Sequence, residues 1–212
     1  MIICQAELAA AKKTGNGASP QAAALGQAAE VEDHDRRDIQ ASLNGDQDAY
    51  GRLVDRYQQA VANLMWRFTR KHDELEELVQ DVFVQAYFSL KSYRGEAPWL
   101  HWLRRIGTRI GYRFWKARER RKSLVQLDDV SVYTTDPDNL DAEEAAEALD
   151  GLLARLKPAD RLVLTLQYLE QCSVKEIAHR TGWTIAMVKM RAYRARNRLR
   201  HIARQSGLLE EI

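Results

Sequence analysis

Apolar residues return at steps of three and four over most of this chain, and that spacing restricts the fold more than any other feature. Ala49, Leu53, Tyr57, Ala60, Val61, Leu64, Met65 and Phe68 form one such stripe, which predicts an amphipathic helix over residues 46–70. A second run carries Leu75, Leu78, Val79, Val82, Phe83, Ala86 and Leu90 inward. Asp73 is placed to cap it, and the acids of its first turn suit the helix dipole. Ser92 to Pro98, with Gly95 inside it, cannot continue a helix and reads as a loop. A third helix follows over residues 98–120, with Trp99, Trp102, Leu103, Ile106, Ile110, Phe114 and Trp115 set among arginines. Only four prolines interrupt 212 residues, so the expected class is all-α.

The periodicity fails after Lys122, where Asp136, Pro137 and Asp138 punctuate the chain, and it resumes near Ala142. Leu149, Leu152, Leu153 and Leu156 then form a stripe ahead of Pro158, and Leu162, Val163, Leu166 and Leu169 form the next, over Pro158 to Glu170. Two small helical domains are therefore expected, at residues 35–122 and 142–206, joined by a flexible acidic linker over 123–141. Residues 1–34 lack a sustained apolar stripe and read as a disordered or weakly helical tail, and 207–212 as a second tail.

Net charge is only +2, yet the charges are segregated. Lys91 to Lys122 holds eleven basic residues against Glu96 and Glu119, and Gln171 to Gln205 holds nine against Glu176 alone. Between them, Asp128 to Asp150 contains nine acids and no base. Two cationic blocks flanking an anionic connector are the footprint of modules that grip a polyanion.

Ser173 to Arg200 narrows the reading. Ser173 can cap a short helix containing Ile177 and Ala178, Gly182 can turn the chain, and Thr184 can cap a second helix seated by Val188. This is the spacing of a helix-turn-helix. Val188, Ala192, Ala195 and Leu199 are expected to face the core. Ile185, Lys189, Met190, Arg191, Arg194 and Arg198 are left for the groove or the phosphates of DNA. Guanidinium groups serve both phosphates and guanine edges, whereas Lys189 suits a phosphate or a single acceptor.

Other chemistries lack their signatures. His34, His72, His101, His179 and His201 show no metal-ligand spacing, and neither Cys4 nor Cys172 has neighbours suited to zinc. Cys172 reads as a small packing residue. There is no phosphate-cradling glycine loop and no nucleophile elbow, so neither an enzyme nor a cofactor or metal is expected. No apolar run approaches the roughly 20 residues of a membrane span, and the N-terminus lacks the apolar segment of a secretory signal. A cytoplasmic protein is expected.

In several ordered blocks the sequence resembles a bacterial RNA polymerase sigma factor of the two-domain extracytoplasmic-function (ECF) type, within the sigma-70 family. The resemblance covers about residues 36–205, without the connector. It lies in Asn44-Gly-Asp46 with Ala49, Leu53 and Arg56-Tyr57; in Asp73 to Phe83; in Ser92 to Pro98 with Trp102-Leu103 and Arg105-Ile106; and in Leu156 to Arg200 with Glu176-Ile-Ala178 and Arg194-Ala-Arg196.

The resemblance implies binding to core RNA polymerase and promoter DNA, and sequestration by an anti-sigma factor. Asp73, Glu76, Glu77, Gln80 and Asp81 would meet the beta-prime clamp helices, and the helix from Pro158 would lie against the beta flap. Tyr93, Arg94, Trp99, Arg105, Arg109, Tyr112 and Arg113 would hold the minus-ten element, where aromatic faces and cations can keep extracted bases. Core packing is the competing role for Trp99, Trp102 and Trp115. Thr184 and the exposed residues of the last helix would read the minus-thirty-five element. The chain departs from the family pattern at Arg109, where asparagine is common, and at Met187 and Met190, in place of threonine and serine. The acidic connector would mimic nucleic acid in a cationic channel of the polymerase. The competing function is a conventional helix-turn-helix regulator that binds duplex DNA without polymerase.

Overall fold

The computed structural model describes residues 20–124 and 142–206, and these form eight α-helices with no strand among them. The acidic linker expected at 123–141 falls almost wholly outside the described residues.

Helix α1 runs from Pro20 to Leu43, so the expected boundary at residue 34 lies in the middle of a helix. Apolar periodicity misses α1 because carboxylates do much of its docking. Asp35 and Asp38 are buried, at 3% and 8% exposure. They face α2 (Gln47–Met65), where Arg56 reaches Asp35 at 2.5 Å and Asp38 at 2.7 Å and the Arg52 Nε donates to Asp38 at 2.9 Å. The Tyr57 hydroxyl completes the cluster by donating to Asp35. Burial works to raise the Asp38 pKa, but the bonds from Arg56 and Arg52 outweigh it and hold the carboxyl below its ordinary value. Burial and the neighbouring Asp35 push the Tyr57 hydroxyl well up.

Asp46 caps α2, accepting from the Ala49 N–H at 3.1 Å, and Ala49, Leu53, Tyr57, Val61, Leu64 and Met65 are buried along one face. Helix α3 spans His72–Ser89 and continues as a 3₁₀ turn over Leu90–Ser92. Its N-cap is Lys71, without a side-chain cap, so Asp73 sits inside the first turn and not at the cap that its residue type suggests. Thr69 supplies the local order instead: its Oγ1 accepts from the Lys71 N–H at 3.2 Å and donates to Glu74.

Helix α4 (Trp99–Leu124) crosses α2 closely because two of its residues have no side chain. A methyl group at Gly111 would overlap the Phe68 ring, and one at Gly107 would come within 3.0 Å of Leu64 and Met65. Trp115 packs on Phe68 at 4.6 Å between ring centres and donates its indole N–H to the Phe68 carbonyl at 2.8 Å.

The second lobe consists of α5 (Ala142–Ala154), α6 (Pro158–Leu164), α7 (Val174–Thr181) and α8 (Ile185–Gln205). The helix expected over Pro158–Glu170 loses its α register at Thr165 and ends in a π turn over Thr165–Leu169. The Glu170 N–H bonds five residues back to Thr165 at 3.1 Å, and the Cys172 N–H closes onto Leu166 at 2.9 Å. Leu166 is thereby buried and Tyr168 left in solvent. Both α6 and α7 pack on α4, so the apolar core runs unbroken from Leu53 and Met65 through Leu103 to Leu162, Ile177 and Val188.

Candidate nucleic-acid interface

Trp102, Arg105, Arg109 and Tyr112 follow one another on α4 at steps of three, four and three, which puts them on one face. With Gln85, Ser89 and Ser92 from α3 and its 3₁₀ turn, and with Arg113, they line an open cleft of about 730 Å³. Arg105, Arg109 and Arg113 make no ion pair among the described residues. The Arg105 Nε is buried and has no hydrogen-bond partner among them. Partial burial, reinforced by Arg105, lowers the Arg109 pKa. Neighbouring cations that lack a carboxylate, beside aromatic walls, favour an anionic ligand with flat faces.

The remaining members of the expected minus-ten set divide. Tyr93 is half-buried, donates to the Ala97 carbonyl at 2.6 Å and meets the rings of Trp99 and Trp102 at 5.1 and 5.4 Å. Arg94 is exposed in the loop. Trp99 is a correction: at 1% exposure it belongs to the core and offers no ring face to a ligand. Trp102, stacked on it at 4.7 Å, is the tryptophan that lines the cleft.

The helix-turn-helix is built by local hydrogen bonds. The Ser173 hydroxyl accepts from the Glu176 N–H at 3.2 Å while the Glu176 carboxylate accepts from the Ser173 N–H at 2.8 Å. These bonds hold the Glu176 carboxyl below its ordinary pKa. Gly182 ends α7 at φ +78°, a left-handed conformation that glycine adopts without strain. Thr184 caps α8 by accepting from the Met187 N–H at 3.2 Å. Val188, Ala192 and Ala195 are buried and Leu199 is half-buried, leaving Ile185, Lys189, Met190, Arg194 and Arg198 on the outer side of the helix. Arg191 is engaged within the protein, 3.4 Å from Asp160 and over the Trp183 ring at 4.8 Å. Tyr193, 62% exposed beside Lys189 and Met190, joins this surface; its place one helical turn beyond them is a signal that selection by charge leaves out.

On α3, Asp73, Glu76, Glu77, Gln80 and Asp81 lie on the solvent side of the helix. The same helix carries a strip of uncovered apolar residues, with Val84 at 44%, Tyr87 at 46% and Phe88 at 79% exposure. A second apolar cleft, lined by Leu149, Leu152, Leu153, Tyr168 and Leu199, opens on the C-terminal lobe. Cys172 is buried, and burial raises its thiol pKa, which disfavours the thiolate. Among the described residues no cluster of His, Cys, Asp or Glu is arranged for a metal, and no helix is long and apolar enough to cross a membrane.

Residues 53–121 match the sigma-70 region 2 family and residues 146–199 match sigma-70, region 4. The ECF RNA polymerase sigma-E factor of Haemophilus influenzae is 30% identical over 169 residues, covering 74% of this chain and 89% of its own length. The chain belongs to the ECF-type sigma factors of the sigma-70 family. The sigma-E factor of Escherichia coli K12 is equally similar, 30% identical over 74% of this chain and 88% of its own. Among solved structures, CnrH in complex with the cytosolic domain of CnrY is 27% identical and covers 81% of this sigma factor and 98% of itself, at a TM-score of 0.53. The Bartonella quintana sigma factor RpoE, solved with the anti-sigma factor NepR, shares the fold at 23% identity and a TM-score of 0.51, covering 73% of this chain and 96% of its own. As a sigma factor, the protein directs RNA polymerase in transcription initiation, and the family is one of non-enzymatic initiation factors.

Proposed function

We propose that three surfaces divide the work of initiation. The α3 residues Asp73, Glu76, Glu77, Gln80 and Asp81, with the apolar strip beside them, hold the beta-prime clamp helices of core polymerase, and the cleft around Leu152 and Tyr168 receives the beta flap. The α4 cleft takes an unpaired minus-ten strand: Trp102 and Tyr112 supply ring faces, Tyr93 backs Trp102, and Arg105, Arg109 and Arg113 supply charge. Arg109 favours guanine edges or phosphate where an amide would make other contacts. Thr184, Ile185, Lys189, Met190, Arg194 and Arg198 face duplex DNA at the minus-thirty-five element, and Arg191 steadies the turn through Trp183. The five acids over Asp128–Asp141 give the chain between the lobes a polyanionic character suited to a cationic polymerase channel, while Glu143, Glu144, Glu147 and Asp150 lie on α5. The site of action is the cytoplasm, where the polymerase works.

The carrying observation is the set of arginines without carboxylate partners in a concave, aromatic-walled cleft. A reader of closed duplex has no need of it, because bases are accessible to ring faces only once they leave the stack. The 27%-identical structural relative is held by the cytosolic domain of a second protein. By analogy, an anti-sigma factor covers the exposed apolar strip on α3. Run-off transcription by core polymerase on a genomic promoter pool, with and without the chain, tests the reading. Defined start sites appear with the chain and disappear with the Arg105→Ala, Arg109→Ala double variant. Tight duplex binding without any gain of start-site choice would overturn it.

A further inference from the structure

Helix α8 carries two opposite stripes. Val188, Ala192, Ala195 and Leu199 recur at steps of four, three and four on the core side. Two residues back from each of them lies about 200° around the helix, at Ala186, Met190, Tyr193 and Asn197. All four are exposed, and the first three hold apolar side-chain surface in water, Met190 at 49% and Tyr193 at 62% exposure. Cations stand on either side of this line, Lys189 and Arg196 on one flank and Arg194 and Arg198 on the other. No carboxylate occurs on α8. The Asn197 amide oxygen already accepts from Arg200 at 2.9 Å, and Arg191 is turned to Asp160.

We propose that Ala186, Met190 and Tyr193 read thymine through its C5-methyl group, so that α8 selects sequence by apolar contact more than by hydrogen bonds. The inference rests on seating α8 in the minus-thirty-five duplex and names what it reads there. The N-terminal turns of a recognition helix are the ones that meet base edges, and Ala186 and Met190 lie in the first two. The helix matches the groove in cross-section: an apolar line between two cationic flanks meets a floor of base edges between two phosphate walls. On that floor the thymine methyl is the one apolar group. Alanine and methionine have no hydrogen to donate to a base acceptor. Over a G·C pair they would leave N7, O6 and the cytosine amino group dehydrated and without partners, which disfavours that pair. Over thymine they bury a methyl group instead.

The test uses holoenzyme, the full chain with core polymerase. Holoenzyme selects a duplex from a pool randomised across the upstream element, and that duplex is remade with deoxyuridine for each upstream thymidine, which removes only the methyl. The wild-type chain is expected to bind the uracil duplex about threefold to fivefold less tightly per thymine contacted, the worth of one buried methyl group. Met190→Ala is expected to weaken binding of the thymine duplex and to shrink that penalty, while Met190→Leu keeps it. Arg198→Ala is expected to weaken both duplexes alike, since a phosphate contact is blind to the methyl. A selected element without an A·T pair, or equal wild-type affinity for both duplexes with Arg198→Ala still weakening them, would overturn methyl reading and leave α8 in the groove. A uracil penalty that Met190→Ala leaves whole would report DNA shape and overturn it equally. Upstream binding indifferent to all three substitutions would remove α8 from the duplex and the proposal with it.

Discussion

The two lobes build the surfaces proposed for DNA by different routes. The C-terminal lobe works by local rules: a capping box at Ser173, a left-handed Gly182 and a cap at Thr184 set the angle of α8, whose proposed reading face is convex and exposed. The N-terminal lobe works at long range, through carboxylates of α1 on arginines of α2 and a glycine crossing between α2 and α4, and its cationic face is a cleft. A convex helix keeps its cations hydrated until it enters a groove of duplex DNA. A cleft holds its arginines partly out of water before any ligand arrives, and so suits a ligand that brings both charge and ring faces.

The contrast can be broken at several points, the strongest first. Asp35→Ala leaves Arg56 and Tyr57 short of a buried partner and is expected to cost about 3 kcal/mol, at the lower end for buried pairs because Arg56 remains partly in water and keeps its bond to Asp38. Urea unfolding would measure it, and a loss under about 0.5 kcal/mol, the size of an ordinary surface substitution, would show that α1 docks by other means. The same cluster sets an acid dependence. Since the folded-state pKa of Asp38 is depressed, its contribution is fully present above the ordinary aspartate value and is lost as pH falls through the lower folded value. Asp38→Asn is expected to flatten the acid limb of a thermal-stability profile.

Removing charge from the cleft comes next. Arg105→Ala with Arg109→Ala is expected to slow open-complex formation about 10- to 100-fold while leaving closed binding at the minus-thirty-five duplex unchanged, as permanganate footprinting and duplex anisotropy would resolve. In the C-terminal lobe, Ser173→Ala is expected to cost only about 1 kcal/mol, because it removes one cap from one short helix. Arg198→Ala is expected to have the smallest effect: an even loss of affinity across promoter sequences and a salt slope shallower by roughly 0.9 per phosphate contact removed. A change of sequence preference instead would place Arg198 on a base edge.

The same contrast separates what residue order reveals from what it hides. Ser173, Gly182, Thr184 and Val188 act within a few residues of one another, so spacing alone places the turn and the buried face of α8. Helix α1 escapes such reading because its docking depends on Asp35 and Asp38, which look solvent-facing until Arg52 and Arg56 are brought beside them from another helix. Asp73 has the residue type of a cap, yet Thr69 and Lys71 shape that entry. In the α4 cleft, periodicity puts Arg105, Arg109 and Tyr112 on one face. It does not decide which tryptophan is buried, since Trp99 and Trp102 are one turn apart and the ring of Tyr93 meets both. The π turn at Thr165 has no signal in residue type at all.

The contact of the second lobe with α4 also carries its own optical reporter. Two of the five tryptophans lie on it, Trp115 beneath the Arg161 guanidinium and Trp183 between Tyr112 and Arg191. Their emission depends on those neighbours and on contact with water. Unlabelled protein can therefore be followed by indole fluorescence, and any ligand that changes the surroundings of Trp115 or Trp183 would shift the emission.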